Sequence, residues 1–279
     1  MKARRRMASV LVSALFLLVS LIMLFPVYYL IIGLLQDGQE IFRAGMKFFL
    51  NPGEIKWPNY PNLFTYNNGI YTRWFSNSVF YAAAFTVCAL ALSSLVGYGL
   101  GAYDFKGRNA IFVLVLAVMM IPLEILMLPL YKLIVKIKLI NTVGGIIFPF
   151  MVAPVAIFFF RQFVSGISKE FMESARIDGC TEFGIFYRIV VPLMKPAFGA
   201  MTILLAMQNW NSFVWPLIVL RDSDKFTLTI GIASLINPYS ANYDVMIAGS
   251  VVAILPILVL FLFNQRFFIA GLTSGGVKG

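Results

Sequence analysis

Side chains suited to bond-making chemistry are scarce in this 279-residue sequence. It contains no histidine, which removes the commonest general base, proton relay and metal ligand. The two cysteines, Cys88 and Cys180, fall in very different segments and offer neither a disulfide framework nor a metal site. No Gly-x4-Gly-Lys-Ser/Thr run occurs, so the chain has no loop of that kind to cradle nucleotide phosphates. We therefore expect no catalytic residue, no metal and no cofactor bound by this chain. What remains is recognition chemistry inside apolar runs. Gln208, Asn209, Asn211, Ser212 and Trp215 cluster in one run, and Glu124 sits between Pro122 and Pro129 in another. On a continuous helix Gln208, Asn211 or Ser212, and Trp215 share one face. Amides hydrogen-bond hydroxyls, and an indole face stacks on the apolar side of a ring. These residues either line a solute path or bridge neighbouring helices. For Glu124 the structural pairing is the favoured reading.

The elements that must position them are read from composition. Hydrophobic residues make up 60% and charged residues 12%, with a mean hydropathy of +0.87; a soluble domain carries about 45–50% and about 25%. That excludes a cytosolic globular enzyme and a disordered chain. Six stretches, roughly 8–34, 75–101, 110–131, 143–164, 197–220 and 245–269, reach the ~20 residues needed to cross a bilayer. The first follows Lys2, Arg4, Arg5 and Arg6; it exceeds a signal-peptide core and lacks a small-residue cleavage site, so it reads as a retained span.

A net charge of +10 reads here as a topology signal rather than nucleic-acid affinity. With the N-terminus inside, segments 1–7, 103–109, 161–196 and 266–279 hold 13 Lys/Arg, against 9 in 35–74, 132–142 and 221–244. The expected fold is an all-α polytopic membrane protein: six transmembrane helices, N-in and C-in, in one domain over 1–279. The external loop 35–74, rich in Pro, Asn and Tyr, is expected to run extended over the outer face. Trp74 reads as an interfacial anchor, and Gly97-x-Gly99-x-Gly101 as a site of close helix packing. The outer segment 237–244 either meets an external partner or simply connects.

The inner connection 165–196 is too long for a simple turn. Lys169–Asp178 patterns as a helix with Phe171, Met172, Ala175 and Ile177 near one face, and Glu170, Glu173 and Arg176 toward the other. Gly179 suits a left-handed helix end. A second helix opens at Thr181-Glu182-Phe183 and runs to Pro192, and Pro192 and Pro196 bound the approach to the next span. Such a segment is either a docking lever tied to two spans or a plain interfacial helix.

Its spacing decides between them. Glu173-Ser174-Ala175, three residues, Gly179, nine residues, Ile189, one residue, Val191-Pro192 resembles the "EAA" signature of ABC-importer permeases, with Ser174 and Val191 as conservative departures. Trp210-Asn211-Ser212-Phe213-Val214-Trp215-Pro216-Leu217 and the ending 271–279 are similar to the carbohydrate-importing, MalG-type branch. Tyr103–Asn109 and Asp178–Gly184 resemble its arabino-oligosaccharide permeases.

The resemblance implies a non-catalytic subunit of a bacterial cell-membrane importer. It would be paired with a second, MalF-like permease and driven by two ATPase subunits that use ATP and Mg. An extracytoplasmic binding protein would deliver a sugar, and no nucleic acid is involved. It further implies that Glu173, Ser174, Ala175, Asp178, Gly179, Ile189 and Pro192 form the ATPase-coupling segment, and that the tail 270–279 lies inside and contacts the ATPase interface. An importer of a non-sugar solute is the nearest alternative. An ion-driven transporter would need inverted repeats and buried acids, yet Glu124 is the one acid inside a span.

Overall fold

The computed structural model describes residues 2–55, 59–236 and 242–274, so part of the segment 237–244 and the end of the tail lie outside the described residues. Every regular element among them is helical. In chain order they are α1 (Lys2–Leu34), α2 (Gly38–Ala44), α3 (Asn59–Thr65), α4 (Ile70–Ala102), α5 (Arg108–Met119), α6 (Leu123–Lys136), α7 (Val143–Ile147) and α8 (Pro154–Ser165). There follow α9 (Lys169–Ile177), α10 (Glu182–Ile185), α11 (Val191–Leu193), α12 (Lys195–Trp210), α13 (Val214–Val219), α14 (Leu228–Ser234) and α15 (Tyr243–Ser274).

Three stretches are long and apolar enough to cross a membrane: Ser9–Leu34, Pro61–Ala102 and Tyr243–Gln265. None of the most apolar window of Ser9–Leu34 is buried by protein, as suits a helix whose solvent is lipid. Three further candidates are bent pairs, which gives up to six spans by length and composition. Here the sequence expectations need correction. The stretch 110–131 is not one helix, because α5 and α6 meet at 101°. The break falls at Met120–Pro122, where proline lacks the N–H a helix interior needs. The stretch 143–164 bends by 45° ahead of Pro154.

The stretch 197–220 divides into α12 and α13 across Asn211–Phe213. The bent pair at that place in the chain is instead Glu182–Leu193 with Lys195–Trp210, at 79°. Pro216 explains the division. It cannot donate to the carbonyl of Ser212 four residues earlier, and that oxygen accepts from Thr229 Oγ1 at 3.0 Å instead.

Contacts group the chain into two compact units. The first comprises 1–72 and 231–255. The loop expected to run extended is largely helical in its described part. Asp37 caps α2 by accepting from the Gln39 and Glu40 amides, and Asn67, Asn68 and Gly69 turn the chain with positive φ before α4 begins. Gln36 and the Lys47 backbone exchange two bonds, at 2.9 and 3.0 Å. Tyr71 donates to the Gly249 carbonyl at 2.9 Å, with no room there for a larger residue than glycine. Tyr71 is therefore a buried strut.

The second unit comprises 73–230 and 256–279. Its core runs from Tyr81, Phe85 and Tyr98 through Ile146, Phe160 and Leu205 to Trp215 and Ile230, and it includes Met172 and Ala175 of α9. Gly97 and Gly101 let α4 approach α8, whose Phe160 and Val164 lie directly against them, whereas Gly99 faces open space. The segment 220–227 is fastened to one side of α4. Trp74 Nε1 donates to Ser223 O at 2.8 Å, Asn77 Nδ2 to Asp224 O at 2.8 Å and Tyr81 Oη to Lys225 O at 3.2 Å. Trp74 is thus a buried donor, not the interfacial anchor expected from sequence.

Candidate functional site

The connection 165–196 forms the two helical pieces and the glycine turn that its sequence pattern predicts. Ser168 caps α9, its hydroxyl accepting from the Glu170 amide. At the other end the Gly179 amide donates to Arg176 O at 3.0 Å and the Cys180 amide to Ala175 O at 2.9 Å. Gly179 sits at φ 79°. This pair of bonds around a left-handed residue is a Schellman motif, and Ala175 and half-buried Cys180 pack on the core beside it. Two signature positions, Ala175 and Gly179, are therefore shape requirements of the turn.

Thr181 then caps α10 by accepting from Gly184 N. A π-helical turn, Phe186–Val190, leads into Pro192, and bulge and proline together account for the 79° bend that follows. Ile189 packs half-buried on the core, while Pro192 is exposed at the bend.

Only Met172 and Ala175 hold α9 to the core, at 3% and 5% exposure. The four-residue apolar face expected from sequence is narrower than that, since Phe171 and Ile177 point outward, Ile177 at 87% exposure. Residues i and i+3 suffice to seat a two-turn helix. With Phe183 at 70% and Tyr187 also outward, the exposed side presents four large apolar residues around Glu173, Ser174 and Asp178, all exposed. Exposed apolar side chains interspersed with polar ones give this surface the chemistry to receive another protein.

Around α9 lies a group of polar contacts that the sequence reading missed. Arg176 binds the Glu182 carboxylate through Nε at 2.7 Å and a terminal nitrogen at 3.2 Å, and the Tyr103 hydroxyl donates to the same carboxylate. Asp104 pairs with Lys169 at 3.2 Å and with Arg108. The bond from Arg176, then that from Tyr103, holds the Glu182 carboxyl below the ordinary range; Lys169 and then Arg108 do so for Asp104. A carboxylate depressed on folding contributes at neutral pH, and that contribution is lost only as pH falls through its lowered value. Burial, and then Glu182, pushes the Tyr103 phenol upward. Tyr103 and Glu182 lie 79 positions apart, so no local pattern betrays that pairing.

The polar residues of the apolar runs do not share one helical face, because the helix ends at Trp210. Trp215 belongs to α13, is 2% exposed, and donates its indole N–H to Gly145 O at 3.1 Å. This is the helix-bridging alternative. Asn211 is the exposed C-cap of α12, with Asn209 and Ser212 half-buried beside it. Glu124 is exposed in the first turn of α6, where the helix dipole favours a carboxylate.

Gln208 is different. It lines a cavity of about 380 Å³ with Phe85, Leu126, Leu130 and the two helix breaks, Val118–Leu123 and Pro149–Val155. Interrupted helices expose backbone groups, which a membrane tolerates only where they are buried in protein or line a cavity. A neutral amide among such groups can exchange hydrogen bonds with a polyhydroxylated solute without placing a charge in its way.

Comparison with known proteins follows the same outline. The model of the family described as "Binding-protein-dependent transport system inner membrane component" matches residues 93–269. The chain is 53% identical to the arabinooligosaccharides transport system permease protein AraQ of Bacillus subtilis (strain 168), over 95% of this chain and 94% of that protein. It is 33% identical to the lactose transport system permease protein LacG of Rhizobium radiobacter, over 99% and 98%. Its fold matches a chain in the crystal structure of a bacterial ABC transporter involved in the import of the acidic polysaccharide alginate. That likeness has a TM-score of 0.82 at 23% identity, covering 94% of this chain and 97% of that one.

Proposed function

Since the chain belongs to the family of binding-protein-dependent transport system inner membrane components, we propose that it is the transmembrane subunit of an ATP-binding-cassette sugar importer. It forms half of the path beside a second, MalF-like permease in the bacterial cell membrane, with six spans and both termini inside. Two ATPase subunits supply the energy, using ATP and Mg, and an external binding protein delivers the solute. The solute is an arabino-oligosaccharide or a related sugar, in keeping with the similarity to AraQ.

The observation that carries this reading is α9. It is held to the core by Met172 and Ala175 while Glu173, Ser174, Asp178 and the apolar Phe171, Ile177 and Phe183 face outward. A short helix gripped on one side and open on the other receives a partner and passes its displacement into the packed helices. Glu173 is placed for a charge-assisted bond to a basic residue of the ATPase.

Purification from native membranes tests the assignment. An ATPase and a second permease are expected to accompany the chain, and photo-cross-linking from Ser174 is expected to capture the ATPase. A homodimer that transports alone overturns it. Uptake competition across pento- and hexo-oligosaccharides then names the sugar, and arabino-oligosaccharides are expected to compete best.

For the path, Gln208→Leu is expected to lower uptake about tenfold, the scale of losing one hydrogen bond to the solute. ATPase association should stay unchanged. Uptake at the wild-type rate would remove Gln208 from the path.

A further inference from the structure

The short helix α9 is fastened at both ends to the two residues that follow α4. Near its start Lys169 Nζ lies 3.2 Å from Asp104, whose carboxylate also holds Arg108. At its far end Arg176 and Glu182 are joined at 2.7 and 3.2 Å, and Glu182 also takes the Tyr103 hydroxyl. The Arg176 guanidinium lies 5.9 Å from the centre of the Tyr103 ring.

Tyr103 in turn stands on an aromatic footing. Its ring meets Tyr98 edge-on at 5.4 Å, and Tyr98 packs on Phe186 at 5.1 Å. Tyr98 and Phe186 are buried. Tyr103, Asp104, Lys169, Glu173, Arg176 and Glu182 line a polar cavity of about 360 Å³ between the two attachments.

The charged members are exposed, so each pair alone contributes little to stability. Their arrangement does something else. Met172 and Ala175, a single turn apart, seat α9 but leave it free to pivot, whereas attachments near both ends remove that freedom. Aromatic packing beneath Tyr103 holds the attachment point still.

We propose that Tyr103 and Asp104 are positioning residues that clasp α9 to the inner end of α4, so that a push on α9 reaches α4 as well as the helices that follow α9 in the chain. The proposal rests on α9 being the ATPase-receiving helix, and it adds a second route for the force. With the clasp open, α9 turns under load, and ATP is hydrolysed without moving α4.

The test uses the complete importer in phosphatidylethanolamine/phosphatidylglycerol vesicles with Tyr103→Phe, Glu182→Gln and the double variant. The readout is moles of the sugar selected by competition transported per mole of ATP hydrolysed. Each single variant is expected to retain its ATPase and hydrolyse ATP while the ratio falls about fivefold, the scale of coupling changes along such contacts. The double variant should be no worse than the worse single, because both weaken one shared contact, Tyr103→Phe by deleting its donor and Glu182→Gln by removing the acceptor's charge. A merely stabilising role would lower the amount of complex and leave the ratio intact.

Unchanged ratios in both single variants overturn the proposal. So do losses that multiply in the double variant, which would assign Glu182 to a direct ATPase contact. A wild-type chain that captures no ATPase overturns the underlying assignment and the clasp together, whereas a working wild type beside unaffected variants overturns the clasp alone.

Discussion

Gly179→Pro is expected to abolish ATP-driven uptake while the chain still inserts in the membrane. Gly179 holds φ 79°, and proline fixes φ near about −65°. The substitution also deletes the amide that donates to Arg176 O at 3.0 Å, and it displaces the neighbouring Cys180 bond to Ala175. The end of α9 would unwind and carry Arg176, Asp178 and Thr181 with it. Crowding plays no part, because nothing lies within 4 Å of a Cβ built on Gly179.

Backbone conformation alone therefore sets a graded series. Gly179→Asn, which tolerates the left-handed region, is expected to keep most uptake, and Gly179→Ala should lose on the order of 1 kcal/mol of turn stability. Uptake by cells, with surface labelling to confirm insertion, reads the series. Wild-type transport by Gly179→Pro would refute a coupling role for this turn.

Gly97→Leu is expected to have the other large effect, on folding. A Cβ at Gly97 would lie 2.6 Å from Phe160 Cβ, 3.0 Å from Arg161 N and 3.2 Å from Ile157 O. Two of these atoms are backbone and cannot swing aside, so α4 and α8 must separate along their contact. Overpacking of this kind costs about 1–3 kcal/mol, and more where backbone must move. Gly99, two residues along, meets nothing within 4 Å, and Gly99→Ala should gain up to about 1 kcal/mol from helix propensity. Melting midpoints of detergent-purified chains separate the two. A Gly97→Leu protein that melts with wild type would show that the contact yields more readily than its atoms suggest.

The connection 165–196 was readable from sequence because its determinants are local. Thr181 at a helix start, Gly179 as the left-handed end and Pro192 at the bend act within four or five residues, and each behaves as its type requires. The apolar runs were readable for the same reason, since lipid selects for length and composition whatever the neighbours. Straightness was not. Pro122, Pro154 and Pro216 mark possible breaks, but a membrane helix also tolerates proline, as Pro26 inside α1 and Pro256 inside α15 demonstrate. Whether a proline breaks a helix depends on whether another group takes the orphaned carbonyl, as Thr229 does for Ser212.

The amino-acid sequence by itself determined that this is a helical membrane chain whose connection 165–196 is capped and turned by its own residues, because those properties follow from composition and short spacings. Only the tertiary structure decided which polar residues act together. It sent Trp215 into a buried bond with Gly145 and turned Gln208 toward a cavity at two helix breaks. It also brought Tyr103 to Glu182 across 79 residues. Hydrogen bonds and close packing depend on distances in space, and positions along the chain do not encode those distances.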